Sequence, residues 1–342
     1  MGITIIATIF VFSIIVFVHE LGHFITAKLS GMQVDEFAIG FGPRLCSYTR
    51  GDTTYSLRIV PLGGFNKIAG MSEDEPLTER SFVNKPILSR LMVIAAGACM
   101  NFVLALLIFW GIFFVSGTMK VSNDPVVGAV LENSAAAKAS LQAGDKIISI
   151  GGTAVTTWED VPKAVTAHSR EVVPVVIERN GANQTVSMIP EMDEASKRAV
   201  IGVMPVIVHQ DHGFFESAQM AVTRTGQICK LMLVGLYDMV TGREKAEVAG
   251  PLGVAQLAGQ MAEVGFVNLL MFTAILSLNL GIINLLPVPL LDGGYIILLL
   301  IEGITRRRMP KKALYYIQMC GMVILGAIFL FAMFQDISRI GG

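Results

Sequence analysis

The sequence predicts a polytopic α-helical membrane protein of about four transmembrane helices. A cytoplasmic-side β-hairpin joins the first two, and one extracytoplasmic α+β domain is inserted between the second and third. Three observations lead there. Of the 342 residues, 53% are hydrophobic and only 15% are charged, with mean hydropathy +0.62; soluble domains carry about 25% charged residues. Four apolar runs, Ile3 to Ile25, Ile87 to Val115, Val267 to Ile301 and Ala313 to Phe334, have the length that a hydrocarbon core ~30 Å thick demands. Between the second and third, a stretch from about Lys120 to Gly250 has the mixed character of a soluble domain. The net charge of -1 argues against a nucleic-acid surface, so no nucleic-acid partner is expected. Cys46, Cys99, Cys229 and Cys320 form no CxxC pair and suggest neither a zinc ribbon nor a disulfide framework.

The first run carries no charge from Ile3 to Val18 and then reads His19-Glu20-Leu21-Gly22-His23. It lacks a basic leading region, and HExxH is foreign to a disposable signal, so the helix is expected to be retained. HExxH sets two imidazoles one helical turn apart on one face, where both reach a single metal ion. Glu20 falls on the adjoining face, placed to take a proton from a water at that metal. Ionisable groups at membrane depth are costly and persist when paired, solvated or functional. The plainer reading makes His19 and His23 the interfacial end of an anchor. A metal site also requires a third protein ligand from elsewhere in the chain.

Basic residues set the orientation. The connection from Lys28 to Lys85 carries Arg44, Arg50, Arg58, Lys67 and Arg80, and the one after the third run reads Arg306-Arg307-Arg308-Met309-Pro310-Lys311-Lys312. With four spans both lie on one side, which the positive-inside tendency makes cytoplasmic. HExxH then sits at the cytoplasmic end of its helix, and the domain after Lys120 faces outside.

The third run contains Asn284-Leu-Leu-Pro287-Val-Pro289-Leu-Leu-Asp292-Gly293-Gly294. The two prolines must break or kink its helix, and freed carbonyls at this depth are tolerated only against protein or a wet cavity. Asp292 is the only acid between Glu263 and Glu302. The first and third helices run in the same direction, so Asp292 lies at the depth of His19 and His23. Two histidines and a carboxylate suit zinc and leave a fourth position open. Asp292 as a helix cap is the plainer alternative, and capping is compatible with ligation.

HExxH in a first membrane helix with NxxPxPxxDG in a later one resembles the site-2 protease family of intramembrane zinc metalloproteases. Phe41-Gly42-Pro43, Pro61-Leu62-Gly63-Gly64-Phe65, Ala96-Gly97 followed by Asn101, and Gly250-Pro251-Leu252-Gly253 extend the resemblance over nearly the whole chain. It is strongest to the bacterial regulator-of-sigma-E protease group, from which Ala98 departs where a proline is usual. The resemblance implies one Zn2+ per chain and a single-span membrane protein as substrate, an anti-sigma factor or a remnant signal peptide. The absence of a transit-type leader favours a bacterial plasma membrane over an organelle, with membrane lipid as a partner. Asn284 and Pro289 match positions that place substrate, with Asn279 and Asn101 as weaker candidates. Because a helix shields its own carbonyls, the substrate must unwind. Thr53 to Val60 and Gly63 to Ile68 have strand composition around a Pro-Gly-Gly turn, predicting a hairpin whose edge, with Gly63 and Gly64, pairs with the unwound chain. An ordinary cytoplasmic hairpin is the simpler reading.

In the inserted region, Pro125-Val-Val-Gly-Ala-Val opens a strand, Ser134 to Leu141 reads as a short helix, and Ala143 to Ile150 as turn and strand. Trp158 to His168 reads as a helix, and Val172 to Ile177 pairs with Gln184 to Met188 across Arg179-Asn180-Gly181. This resembles a single circularly permuted PDZ domain, in which Ile201, Gly202 and Val203 match the carboxylate-binding loop. Binding of a peptide terminus and service as a size filter both remain open. Phe214 to Val240 is amphipathic, and Arg224, Lys230 and Asp238 favour a surface position over a fifth span. The expected divisions are 1–116, 117–208, 209–264 and 265–342. The competing functional reading is a non-enzymatic membrane zinc transporter or sensor using the same ligands, which leaves Glu20 without a task.

Overall fold

The computed structural model describes all residues except 72–76, 169–170, 194–197, 244–249 and 342. It divides into two compact units, Met1–Phe113 with Phe214–Gly342, and Phe114–Gly213.

Helix α1 (Gly2–Leu29) leads into two long strands, β1 (Val34–Arg50) and β2 (Thr53–Ile68), and α2 (Ile87–Ser116) follows. After the inserted unit come α5 (Phe214–Val240), α6 (Pro251–Val264), α7 (Phe266–Leu285), α8 (Asp292–Thr305) and α9 (Lys311–Gly341). Among the described residues four helical stretches are long and apolar enough to cross a membrane: Gly2–Leu29, Ile87–Ser116, Phe266–Leu285 and Lys312–Arg339. The third apolar run is therefore two helices. Pro287 lacks an amide hydrogen and cannot continue α7. The link turns tightly, with Val288 N donating to Leu286 O at 2.7 Å and Leu290 at φ 75°. Gly293 and Gly294 let it fold back on α8, since a Cβ at either would strike the carbonyls of Leu285, Leu286 or Val288.

Small residues bring the helices together. A Cβ on Gly22 of α1 would collide with the Ala96 carbonyl of α2, and one on Gly259 of α6 would meet Thr4. Close backbone approach of this kind is the usual basis of helix packing where lipid removes the hydrophobic incentive. Ala7, Val11 and Ile15 of α1 pack with Leu104, Ala258 and Leu269, while Phe109 and Phe113 of α2 pack with Ala221, Ile228 and Leu278. Asp336 of α9 accepts from Gly250 N at 3.0 Å and Gly253 N at 2.8 Å, capping α6. Buried Arg90 binds both Glu302 oxygens, at 3.1 and 2.9 Å, joining the start of α2 to the end of α8.

The hairpin differs from the sequence expectation. Segments 53–60 and 63–68 are both extended, but they do not pair with each other around Pro61–Gly64; they belong to the single strand β2. The tight turn is at Gly51, φ 61°, and residues 36–39 of β1 take partners on both sides, Phe37 facing Asn66 and Tyr55. This arrangement buries Phe37 and Ala38, which a hairpin turning at Pro61 would leave uncovered. Gly40, φ 86°, permits it by letting the Val60 carbonyl approach where a Cβ would stand. Among the described residues segment 64–68 pairs only with β1, leaving its other edge open. Phe41, Leu45, Tyr48, Leu57, Ile59 and Val60 are exposed on the same hairpin.

The inserted unit contains β3 (Thr118–Val121), β4 (Val127–Val130), α3 (Ala135–Lys138), β5 (Lys146–Ile150), β6 (Thr153–Ala154) and α4 (Asp160–Thr166). It continues through β7 (Val173–Arg179), β8 (Ala182–Met188), β9 (Glu191–Asp193), β10 (Arg198–Val200), β11 (Val203–Pro205) and β12 (Ile207–Gln210). Its main sheet has the order β6-β5-β7-β8. The β7–β8 turn places Asn180 and Gly181 at φ 53° and 77°, which short polar and glycine residues adopt readily. Val127, Ile147, Ile150, Val175 and Ile177 form its core.

Candidate metal centre

Residues 19 to 23 lie within α1, so HExxH has the helical spacing its chemistry needs. His23 Nδ1 is 2.8 Å from the Val93 carbonyl of α2. A carbonyl only accepts, so Nδ1 carries the proton and the Nε2 lone pair is free. Fully buried Asn101 places its side-chain amide 3.3 Å from His19 Nδ1, and its Oδ1 is buried without a partner. Turning that amide over lets Oδ1 accept from His19 Nδ1–H and frees His19 Nε2 in the same way. Ser277 Oγ donates to the Asn101 carbonyl at 2.9 Å, fixing this residue against α7.

Asp292, the first residue of α8, completes the cluster. Its Oδ2 is 3.4 Å from His19 Nε2 and 3.6 Å from His23 Nε2, and the two Nε2 atoms are 3.2 Å apart. Oδ2 is buried without a hydrogen bond. Two imidazole lone pairs and an unpartnered carboxylate oxygen converging in this way repel one another unless a cation lies between them. Ligand atoms of a tetrahedral site with bonds of about 2.0–2.2 Å stand about 3.3–3.6 Å apart. The three residues fit zinc. Among the described residues this is the one group of three metal-ligating side chains.

Gly97 of α2 faces both imidazoles so closely that a Cβ there would collide with His23 Nε2 and His19 Cε1. The cluster opens on a cavity of about 320 Å³ lined by Glu20, Phe65, Asn66, Asn284 and Tyr295, among others. Asn284 Nδ2 is 3.5 Å from His19 Nε2. A Cβ on Gly64 would lie 3.3 Å from Glu20 Cγ and 2.7 Å from the Ala38 carbonyl, so the strand passes directly over the glutamate. Gly63, φ 108°, instead faces the Phe41 ring, and Pro289 packs against Gly321 of α9 beside the cavity wall. Sequence reasoning missed Asn66, whose Nδ2 donates to both the carboxylate and the carbonyl of Glu20. Its one signal was an amide side chain in an otherwise strand-forming run.

The profile of Peptidase family M50 matches residues 7–328. The chain belongs to peptidase family M50. A Clostridium perfringens relative, provisionally named a zinc metalloprotease, is 36% identical over 335 residues, 97% of this chain and 98% of that one. The regulator of sigma-W protease RasP of Bacillus subtilis is 29% identical over 418 residues, covering 98% and 99%. The PDZ domain of an SdrC-like protein from Listeria monocytogenes covers 25% of this chain and 93% of its own, at 22% identity and TM-score 0.22. As an M50 member this membrane protein is a zinc metalloendopeptidase, and the transporter or sensor reading is set aside.

In the inserted unit, Ile201, Gly202 and Val203 line a cavity of about 370 Å³ together with Trp158, Val161 and Val165 of α4 and its approach. Gly202 has φ 77°, and a Cβ there would strike Ser134.

Proposed function

We propose that the chain hydrolyses peptide bonds within or near the transmembrane segments of single-span membrane proteins, with His19, His23 and Asp292 holding zinc and Glu20 as general base. The observation that carries this reading is the convergence of three ligand atoms, Glu20 and an open strand edge on one cavity among apolar, span-length helices. Zinc in such a site supplies Lewis acidity that polarises the scissile carbonyl and makes a water nucleophilic near neutral pH. Glu20 takes the proton of the attacking water and returns it to the amide nitrogen as the C–N bond breaks. The Asn284 side-chain amide donates to the substrate backbone beside His19. The open edge of segment 64–68 receives the unwound substrate by strand addition, and the missing Cβ of Gly64 keeps that strand close to Glu20.

The exposed apolar residues of β1 and β2 suit immersion in lipid. The basic connections, Arg44 to Arg80 and Arg306 to Lys312, favour a cytoplasmic hairpin end and an outer position for the inserted unit. The amphipathic α5 lies on the outer surface. We read the inserted unit as a PDZ domain, and its groove at Ile201–Val203 suits an extended peptide end. An anti-sigma factor and a remnant signal peptide are the two substrate classes proposed, and the name of the Bacillus subtilis relative refers to regulation of sigma-W.

The test is cleavage of single-span substrates by the purified protein in detergent, with cut sites mapped by mass spectrometry. Cuts inside the apolar segment, abolished by a chelator and restored by zinc, are expected. Cutting confined to exposed loops would overturn the reading.

A further inference from the structure

Asn66 stands 46 residues from Glu20 in sequence, on a strand rather than the helix, yet its Nδ2 lies 2.7 Å from both Glu20 Oε2 and Glu20 O. The orientation of its amide follows from chemistry. Both Glu20 atoms are acceptors when the carboxylate is ionised, so only the NH2 end can face them. The two contacts use both hydrogens of that NH2, one on the backbone of α1 and one on the carboxylate. A freely rotating glutamate side chain thereby gains a fixed reference on its own helix. The remaining atom, Oδ1, is buried without a partner, and the residue lines the metal cavity. Register holds Asn66 in place: it faces Phe37, a buried residue with strand partners on both sides.

We propose that Asn66 is the positioning residue for Glu20, aligning its carboxylate from the strand whose edge receives the substrate. This rests on the assignment of Glu20 as the base. Base orientation and substrate pairing are then set by one element. A substrate that displaces β2 misaligns the base, and one that pairs in register holds it in place. Asn66 acts through Glu20, by its hydrogen bonds to the carboxylate and the carbonyl of that residue.

The test compares wild type, Asn66→Val, Asn66→Asp, Glu20→Gln and the Glu20→Gln/Asn66→Val double variant, all full-length in detergent, for zinc content, Tm, kcat and KM. Asn66→Val removes both donors at similar bulk, and Asn66→Asp keeps the shape but turns an acceptor toward Glu20. Both should retain one zinc per chain, Asn66→Val with a wild-type Tm, and KM should stay within about twofold. Their kcat should fall about 10- to 100-fold, the effect of losing a hydrogen bond to a charged group. In the Glu20→Gln background, where no cleavage remains, Asn66→Val should leave zinc content and Tm at the values of Glu20→Gln alone. Loss of zinc or Tm with unchanged kcat per loaded enzyme would make Asn66 merely structural and overturn the inference. So would a raised KM at unchanged kcat, which marks a substrate contact. If Glu20→Gln cleaves at the wild-type rate, the base assignment itself fails. If Glu20→Gln is inactive while Asn66→Val keeps its kcat, only the inference about Asn66 fails.

Discussion

Gly97 of α2 lies so close to His23 of α1 that a single added methyl group would overlap Nε2. The second helix thus forms the floor of the metal centre, although it contributes no ligand. Gly97→Ala should bind zinc at least 10-fold more weakly and lose activity in proportion, as metal content after dialysis against a buffered chelator would show. Gly111→Ala is the matched control, since a Cβ there meets nothing within 4 Å; it should keep its zinc.

Asn101 braces His19 from the same helix. Asn101→Leu preserves the volume but leaves His19 Nδ1 without its partner, which should weaken zinc binding 10- to 100-fold. Competition with a fluorescent chelator would measure this. An unchanged affinity would show that His19 does not depend on Asn101 for its orientation.

The hairpin carries a pH-dependent pin. Glu36 is buried, which alone would raise its pKa, but hydrogen bonds from Arg44, Ser56 and Arg58 outweigh burial and hold it at about 2, below the ordinary 4.5. A folded value below the unfolded one means stability that is fully present above about pH 5 and is lost as the pH falls toward 2. Tm measured from pH 7 to pH 3 should fall more steeply for wild type than for Glu36→Gln, which should be less stable at pH 7. Parallel curves would remove Glu36 from the account.

In the inserted unit, Asp145 is 1% exposed and accepts from Arg179 Nε at 2.7 Å and Nη2 at 2.6 Å. Arg179→Met leaves that carboxylate buried and unpaired, a change that costs about 3–5 kcal/mol. Urea unfolding followed by Trp158 fluorescence, in a Trp110→Phe background, should report the loss.

The spans were legible because 20 apolar residues in a row have few alternatives, and the break at Pro287 because proline cannot donate. His19, His23 and Asp292 could be brought together on paper through helix periodicity and depth. The pairing of β1 and β2 could not, because residues 36–39 choose partners on both flanks, and long-range register is set by what becomes buried rather than by local composition. For the same reason Asn66 looked like any strand residue, and its contact with Glu20 exists only once β2 crosses α1. Gly97 was legible as part of a motif, but its role as the floor beneath the imidazoles depends on how α1 and α2 close at Gly22. Helix α6 went unread, although Gly250 and Pro251 are a helix start; the partner of that start, Asp336, is 83 residues beyond Gly253.

The most direct test of the central claim is to measure zinc content and intramembrane cleavage together for wild type, Glu20→Gln and Asp292→Ala. The account predicts one zinc per chain and cleavage for wild type, one zinc and no cleavage for Glu20→Gln, and loss of both for Asp292→Ala. Cleavage by Glu20→Gln at the wild-type rate, or undiminished zinc in Asp292→Ala, would contradict it.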